Sequence, residues 1–200
     1  CGAAGFPYEG LTASAQDHHT FIRRVGRQDR GVGIPAQRFG KRGRLGHRRA
    51  GCGAGYYYAD CVPLYFLDPE KRVIGLAHGD GGGLRPDRTE MVEKMKAEYG
   101  CRPERIIGAI GPSIGACCYE VDEPVAREFL ALSDLETERF VMDKKNGKYS
   151  LDLWEANRQI MVRAGMRPEN ITVTDLCTRC NHDWLISHRQ PEENGAVWRR

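Results

Sequence analysis

The chain has 200 residues, 40% of them hydrophobic, with 30 Lys and Arg against 27 Asp and Glu. This length fits one domain, which can bury about 70% of its extended surface and therefore needs no disulfides to fold. No segment reaches the about 20 apolar residues of a membrane helix and no signal-peptide pattern is present, so we expect a cytoplasmic protein with no membrane partner.

Strands dominate the predicted elements of the first half. Residues 11–25 end in a partly alternating, β-rich stretch that predicts a strand. Two apolar runs, 55–68 and 72–78, are joined by a short polar turn and predict a β-hairpin. Residues 86–99 have apolar side chains at helical spacing, and the following Gly100 suits a helix C-terminus.

The second half predicts helices and strands in mixed order. Residues 105–111 predict a strand, 123–132 and 150–165 predict helices, and 170–177 and 183–189 predict strands. The elements do not alternate strictly as βαβ units. We therefore predict an α/β fold: a single layered domain with a mixed β-sheet and flanking helices.

The net charge of +3 depends on one short run. Residues 35–54 contain six Lys or Arg, five Gly and no acid, and without those six the chain has 24 basic against 27 acidic residues. A nucleic-acid partner would rest on this run alone, so we expect none. The alternative is a basic loop that binds anions or RNA.

The eight cysteines lie in segments that resemble an ordinary α/β domain, and we expect reduced thiols. The adjacent Cys117 and Cys118 are expected to be small buried residues. Cys177 and Cys180, with His182, resemble half of a zinc ribbon, but no second Cys-x-x-Cys exists, so we do not expect a structural zinc ion there.

Three potential metal ligands, His18, Cys61 and His78, lie within or at the ends of predicted strands. Cys61 and His78 are on opposite arms of the predicted hairpin, which can bring their side chains together. A Cys and two His would hold Zn²⁺ and leave a fourth position open, as catalytic zinc sites do. Spacing alone leaves open that each is a packed core residue.

Two further features could contact an anionic substrate. Ser113 lies in Gly111–Gly115, a segment that either cradles an anion or forms a tight turn with unusual glycine backbone angles. Arg189 could bind phosphate or ribose, or form a solvated salt bridge. We name Ser113 and Arg189 as candidate substrate-binding residues.

Several long segments are similar to the laccase-domain (YfiH-like) family. The similarity covers residues 11–25, ADCVPLYFLDPEKRVIGLAH (59–78), IGPSIGACCYEV (110–121), residues 150–180 and SHR (187–189). The resemblance implies zinc-dependent phosphorolysis of adenosine, inosine and methylthioadenosine, and deamination of adenosine. It also implies that His18, Cys61 and His78 are the metal ligands and that residues 1–200 form one such domain, with an N-terminal segment missing before Cys1.

Three segments depart from the family pattern: residues 35–57, 79–90 and 190–200. HGDGGGL stands where the family has a His followed by Gly-Trp-Arg-Gly, and the basic run stands where the family has Asp-Gly-Leu. Gly- and Arg-rich strings of this kind are what a shifted reading frame of a GC-rich gene produces, and we hypothesise that origin.

Two other catalytic functions remain open. Cys61 and His78 could be the nucleophile and base of a cysteine hydrolase. Cu²⁺ could replace Zn²⁺ and support phenol oxidation, although a multi-copper enzyme would need more than the six His present. The sequence does not indicate an oligomeric state.

Overall fold

The computed structural model describes residues 11–13, 22–24, 28, 30, 44–47, 53–55, 58–79 and 90–189. The strands are β1 (Leu11–Ala13), β2 (Ile22–Arg24), β3 (Arg44–His47), β4 (Gly53–Gly55), β5 (Val62–Asp68), β6 (Val73–Gly79), β7 (Ile107–Ile110), β8 (Glu120–Asp122), β9 (Val141–Asp143), β10 (Lys148–Leu151) and β11 (Ile171–Val173). The α-helices are α1 (Glu90–Tyr99), α2 (Glu123–Leu130) and α3 (Leu153–Arg163). No helix among these residues is long and apolar enough to cross a membrane.

A six-stranded mixed sheet forms the centre of the described structure, in the order β11-β7-β5-β6-β3-β2. The outer pairs, β11 with β7 and β2 with β3, are parallel, whereas the inner pairs are antiparallel. The predicted α/β class with a mixed sheet is therefore confirmed.

The predicted hairpin is formed by β5 and β6, which pair along their whole length with Val62 opposite Gly79 and Asp68 opposite Val73. The turn is closed by the Asp68 carboxylate, which accepts a hydrogen bond of 2.8 Å from the backbone N–H of Lys71. The sequence pattern located this hairpin correctly because two apolar runs flank a polar turn.

Helices α1 and α3 cover one face of the sheet. Leu64 and Phe66 point inward, whereas Tyr65 and Leu67, which alternate with them, are 45% and 40% exposed. Gly75 and Gly108 both pair with Phe66, and a Cβ at either would meet methionines of α1 or α3, respectively. The core is thus packed between the Phe66 face and these two helices.

Helix α3 begins at a side-chain cap. The Asp152 carboxylate accepts hydrogen bonds from the backbone N–H groups of Trp154 and Glu155, and the chain leaves the helix through Gly165 at φ +95°. On its buried side lie Leu153, Ile160 and the following Ala164.

A second sheet, in the order β8-β10-β9, packs against α2. Phe129 of α2 contacts Phe140 edge to face, with ring centroids 6.5 Å apart. A turn at Asn146-Gly147 joins β9 to β10, and Gly147 has a φ of +78° there. Its strand β8 begins at Glu120, and Cys117 and Cys118 lie just before that strand.

Two segments differ from the sequence predictions. Residues 183–189 form turns rather than a strand: the N–H groups of Trp184 and Leu185 turn back to the Asn181 carbonyl. Part of the basic run, Arg44–His47, to which the sequence pattern assigned no element, is strand β3, paired between β6 and β2. Long-range pairing overrides composition at β3.

Candidate metal centre and substrate site

Cys61 and His78 lie at the same end of the β5–β6 ladder. His78 is opposite Pro63, and Cys61 is two residues before Pro63. Residues two apart share a face of a strand, and diagonal neighbours across a ladder lie about 7–8 Å apart at Cα, within reach of long side chains. The register therefore places His78 at the end of the ladder where Cys61 precedes β5, and their joint role as metal ligands stays a prediction.

Tyr58 fixes the surroundings of His78. The two rings stack at 5.1 Å with an interplanar angle of 15°, and the Tyr58 hydroxyl donates a hydrogen bond of 3.1 Å to the Ala77 carbonyl. His78 is only 9% exposed. Its imidazole is thus held between the sheet and an aromatic cover, which limits its rotation.

Asp60 organises the segment that precedes Cys61. Its carboxylate accepts hydrogen bonds from Thr178 Oγ1 at 2.7 Å and from the His188 N–H at 2.8 Å. Its backbone is in the left-handed region, at φ +72°, which Asp tolerates better than most residues. These contacts tie the start of β5 to the C-terminal part of the described chain.

The third predicted ligand, His18, lies outside the described residues. Its place at this centre stays a prediction. The same holds for its neighbour His19.

Ser113 is fully buried in the loop that runs beside Asp60. Its hydroxyl donates to the Gly111 carbonyl at 3.3 Å and accepts from the Trp154 indole N–H at 2.7 Å. The backbone N–H of Ile114 donates to the Asp60 carbonyl. In this position Ser113 supports the loop, and its predicted contact with substrate stays a prediction.

The glycines of this loop are explained by close packing. Neither Gly111 nor Gly115 is among the described glycines with positive φ, so the predicted unusual backbone angles are wrong. A Cβ at Gly111 would lie 3.0 Å from the Tyr65 ring, and one at Gly115 would lie 3.2 Å from the Trp154 ring. Side chains that crowd the loop leave room only for hydrogen.

Arg189 is exposed at the edge of the second sheet. One guanidinium nitrogen donates to the Glu120 carbonyl at 2.8 Å, and the guanidinium carbon lies 4.8 Å from the centroid of the Tyr119 ring. The cation is therefore positioned by a hydrogen bond and an aromatic contact, with other N–H donors left for an anionic ligand.

The structure also brings together four cysteines that the sequence did not assign to one site. The sulfurs of Cys117, Cys118, Cys177 and Cys180 all lie within 4.8 Å of one another, and none of these residues forms a disulfide. Cys117 is exposed and Cys118 is half-buried, so the expectation that both are buried is wrong. This group, the four-cysteine cluster, is compatible with a metal ion.

The thiols of this cluster differ in acidity. Burial alone would raise the pKa of Cys177, but hydrogen bonds from the backbone N–H groups of Gly115 and Cys180 lower it to about 7. Burial and a hydrogen bond with Cys180 raise the pKa of Cys118 above its usual range. The Cys177 thiol is thus a stronger acid than the Cys118 thiol.

Sequence reasoning missed Asp60 and the four-cysteine cluster. Asp60 contacts residues 118 and 128 positions away, and Cys117 lies 63 positions from Cys180. The available signal was the pairing of a Cys-Cys with a Cys-x-x-Cys in one chain.

Comparisons with known proteins assign the chain to a family. Residues 1–199 match the family model described as multi-copper polyphenol oxidoreductase laccase. The chain is 36% identical over 194 residues to purine nucleoside phosphorylase YlmD of Geobacillus stearothermophilus, covering 92% of this chain and 69% of that protein. The crystal structure of that YlmD superposes with a TM-score of 0.87 over 94% of this chain and 71% of the crystallised one, at 33% identity.

Two other relatives support the assignment. Purine nucleoside phosphorylase YlmD of Bacillus subtilis is 38% identical over 68% of this chain, which spans 49% of that relative's length. Adenosine deaminase RL5, from an unknown prokaryotic organism, is 28% identical over 93% of this chain and 72% of its own length. With a match along nearly its whole length and the same mixed-sheet fold, the chain belongs to the family described as multi-copper polyphenol oxidoreductase laccase.

Proposed function

We propose that the chain is a zinc-dependent purine nucleoside enzyme whose metal ligands are His18, Cys61 and His78. The reactions are phosphorolysis of adenosine, inosine and methylthioadenosine, and deamination of adenosine. The names of the YlmD relatives support the first reaction, and the name of RL5 supports the second. Purine nucleosides and phosphate are then the partners of this site.

One observation carries the proposal: His78 lies opposite Pro63 at the end of the β5–β6 ladder, and Cys61 immediately precedes β5 at that same end. A thiolate and an imidazole are ligands that zinc accepts, so this donor set fits the ion. When bound, zinc supplies Lewis-acid chemistry, which lowers the pKa of a water molecule or polarises a substrate oxygen.

The surrounding residues position the site. Tyr58 stacks on His78 and keeps its ring in one orientation, while Asp60 holds the backbone next to Cys61. Arg189, presented at the surface through Glu120 and Tyr119, supplies a cation suited to phosphate or ribose oxygens. Ser113 supports the loop that borders the site.

The test is product analysis of adenosine incubated with the purified chain, with and without phosphate. Adenine that appears only with phosphate indicates phosphorolysis, and inosine indicates deamination. Cys61→Ala and His78→Ala should abolish both products and reduce the zinc content. Cys101→Ala is the control, since it removes a thiol that belongs neither to the proposed ligands nor to the four-cysteine cluster and should keep turnover.

Three results would contradict the proposal. Full turnover by metal-free Cys61→Ala would exclude the metal role. Rapid alkylation of Cys61 in an active, metal-free protein would favour a cysteine hydrolase. Copper in place of zinc together with phenol oxidation would favour the oxidase.

A further inference from the structure

We propose that Cys117, Cys118, Cys177 and Cys180 form a second metal site, a closed tetrathiolate that binds Zn²⁺ and serves a structural role. It is separate from the proposed catalytic centre and does not depend on the proposed function. Two pairs of ligands from distant segments build it, one pair after the Gly111–Gly115 loop and one after β11.

The spacing of the sulfurs fits tetrahedral zinc. With Zn–S bonds of about 2.3 Å, the sulfurs of a regular tetrahedron are about 3.8 Å apart. The Cys180 sulfur lies 3.7 Å from that of Cys117 and 3.5 Å from that of Cys118, and no pair exceeds 4.8 Å. A disulfide would need about 2.05 Å, so the thiols are spaced for a shared ion and not for bonds to each other.

The backbone around the cluster is already arranged for ligation. The Gly115 N–H donates to the Cys177 sulfur at 3.3 Å, an outer contact of the kind that orients a metal-binding thiolate. The Asn181 N–H donates to the Cys177 carbonyl and closes the Cys-x-x-Cys turn. The Thr178 N–H donates to the Ser113 carbonyl, which fixes the two segments to each other.

The choice of zinc follows from the ligand type. Four sulfur ligands disfavour Mg²⁺ and Ca²⁺, which prefer oxygen, and a tetrahedral sulfur set suits Zn²⁺. Cys117 and Cys180 are exposed, which gives the ion a path from solvent. Binding forms four Zn–S bonds, breaks the S–H bonds of those thiols that are still protonated and releases up to four protons to solvent, with no change of oxidation state.

Such an ion would also stabilise residues next to the proposed catalytic centre. Thr178 follows the ligand Cys177 and donates to the Asp60 carboxylate, which precedes Cys61. His188, after the cluster, donates to the same carboxylate. The metal would therefore hold the turn that positions Asp60, in addition to linking the main sheet to the second sheet.

The test measures zinc in the whole chain and in variants that separate the two sites. Cys61→Ala should keep about one zinc ion per chain. Adding Cys117→Ser and Cys180→Ser to Cys61→Ala should remove this ion. Cys101→Ala should not change the zinc content. Cobalt substituted into Cys61→Ala should give the intense visible bands of a tetrahedral tetrathiolate ion, which also decides the question if the serine variant does not fold.

The outcomes distinguish this site from the catalytic one. One zinc in the wild type that persists in Cys61→Ala supports the four-cysteine site even if the catalytic centre binds nothing. Cys61→Ala that is folded but free of zinc and cobalt overturns the inference. Disulfides between the two cysteine pairs in the freshly purified wild type would overturn it as well.

Discussion

At the scale of single residues, Asp60 joins three segments that are distant in the sequence. Its carboxylate accepts from Thr178 and from the His188 N–H, and its carbonyl accepts from the Ile114 N–H. All three contacts converge on the residue before Cys61. A single side chain therefore sets the backbone geometry from which a proposed metal ligand projects.

Replacement of Asp60 by Ala should lower the free energy of unfolding by about 1–3 kcal/mol, because the buried Thr178 hydroxyl loses a charged acceptor and Ala disfavours positive φ. Asp60→Asn should cost less, since Asn tolerates positive φ and keeps one acceptor oxygen for Thr178. Urea denaturation of the two variants measures the difference. Equal losses would contradict this account, because they would show that the acceptor oxygen kept by Asn and its tolerance of positive φ contribute nothing.

The sequence located the hairpin that separates Cys61 from His78 but could not identify the contacts of Asp60. A hairpin pattern fixes which residues of β5 and β6 face each other, because its register follows from a short turn. The partners of Asp60 come from a loop and a turn whose positions depend on the whole fold. Local patterns carry no information about such contacts.

At the scale of elements, the end of β6 packs closely against α3. Asn157 of α3 is 1% exposed, and its amide N–H donates to the Leu153 carbonyl at 2.7 Å. A Cβ at Gly79 would lie 2.9 Å from Asn157 Oδ1 and 3.2 Å from the Cβ of Val62. The strand that carries His78 can therefore approach this helix only with glycine at position 79.

Gly79→Ala should lower the free energy of unfolding by about 1–3 kcal/mol, since a buried, hydrogen-bonded Asn157 cannot move aside. Gly75→Ala in the same strand is the matched control: its Cβ would meet the flexible Met91 side chain, and the loss should be smaller. Thermal unfolding of both variants tests the order. A larger loss for Gly75→Ala would contradict this account of the packing.

Most elements follow from local pattern, and the exceptions have a physical cause. Apolar periodicity predicts α1, α2, α3 and the β5–β6 hairpin because each buries one side against the core. The strand predicted at 183–189 fails because its backbone bonds are made within turns and to Asp60, and Trp184 is 64% exposed. An apolar run forms a strand only where a neighbouring strand can pair with its backbone N–H and C=O groups.

At the scale of the whole molecule, the family resemblance predicted more than the composition could. Motifs in the same order along the chain imply the same mixed sheet, and the match over residues 1–199 confirms the family. The four-cysteine cluster was not predicted, because neither the Cys-Cys pair nor the Cys-x-x-Cys pair alone indicates a site with four ligands. Tertiary contacts between the segments, among them the bridge of Ser113 with Cys177 and the hydrogen bond from the Gly115 N–H to the Cys177 sulfur, bring the two pairs together.

Ion pairs on α3 make the stability of the molecule depend on pH. Glu155 accepts hydrogen bonds from Arg158 Nε at 2.7 Å and Nη2 at 3.0 Å, and Arg139 lies 3.4 Å away. The hydrogen bonds from Arg158, then that from Gln159, hold the pKa of the Glu155 carboxyl below its usual range, against an opposing effect of burial. Glu155 thereby links α3 to the turn before β9.

A lowered pKa in the folded state stabilises the fold above the ordinary Glu value of about 4.3, and this contribution is lost as the pH falls through the folded-state value. Glu155→Gln should therefore reduce the free energy of unfolding by about 1 kcal/mol at pH 7 and much less at pH 3. Chemical denaturation between pH 3 and pH 7, about the range that the Glu titration spans, measures this difference. Glu128→Gln, at an exposed position of α2, is the control and should leave the profile unchanged. A loss that is the same at both ends of the range would mean that Glu155 acts through packing, because only the charged form is bound by Arg158.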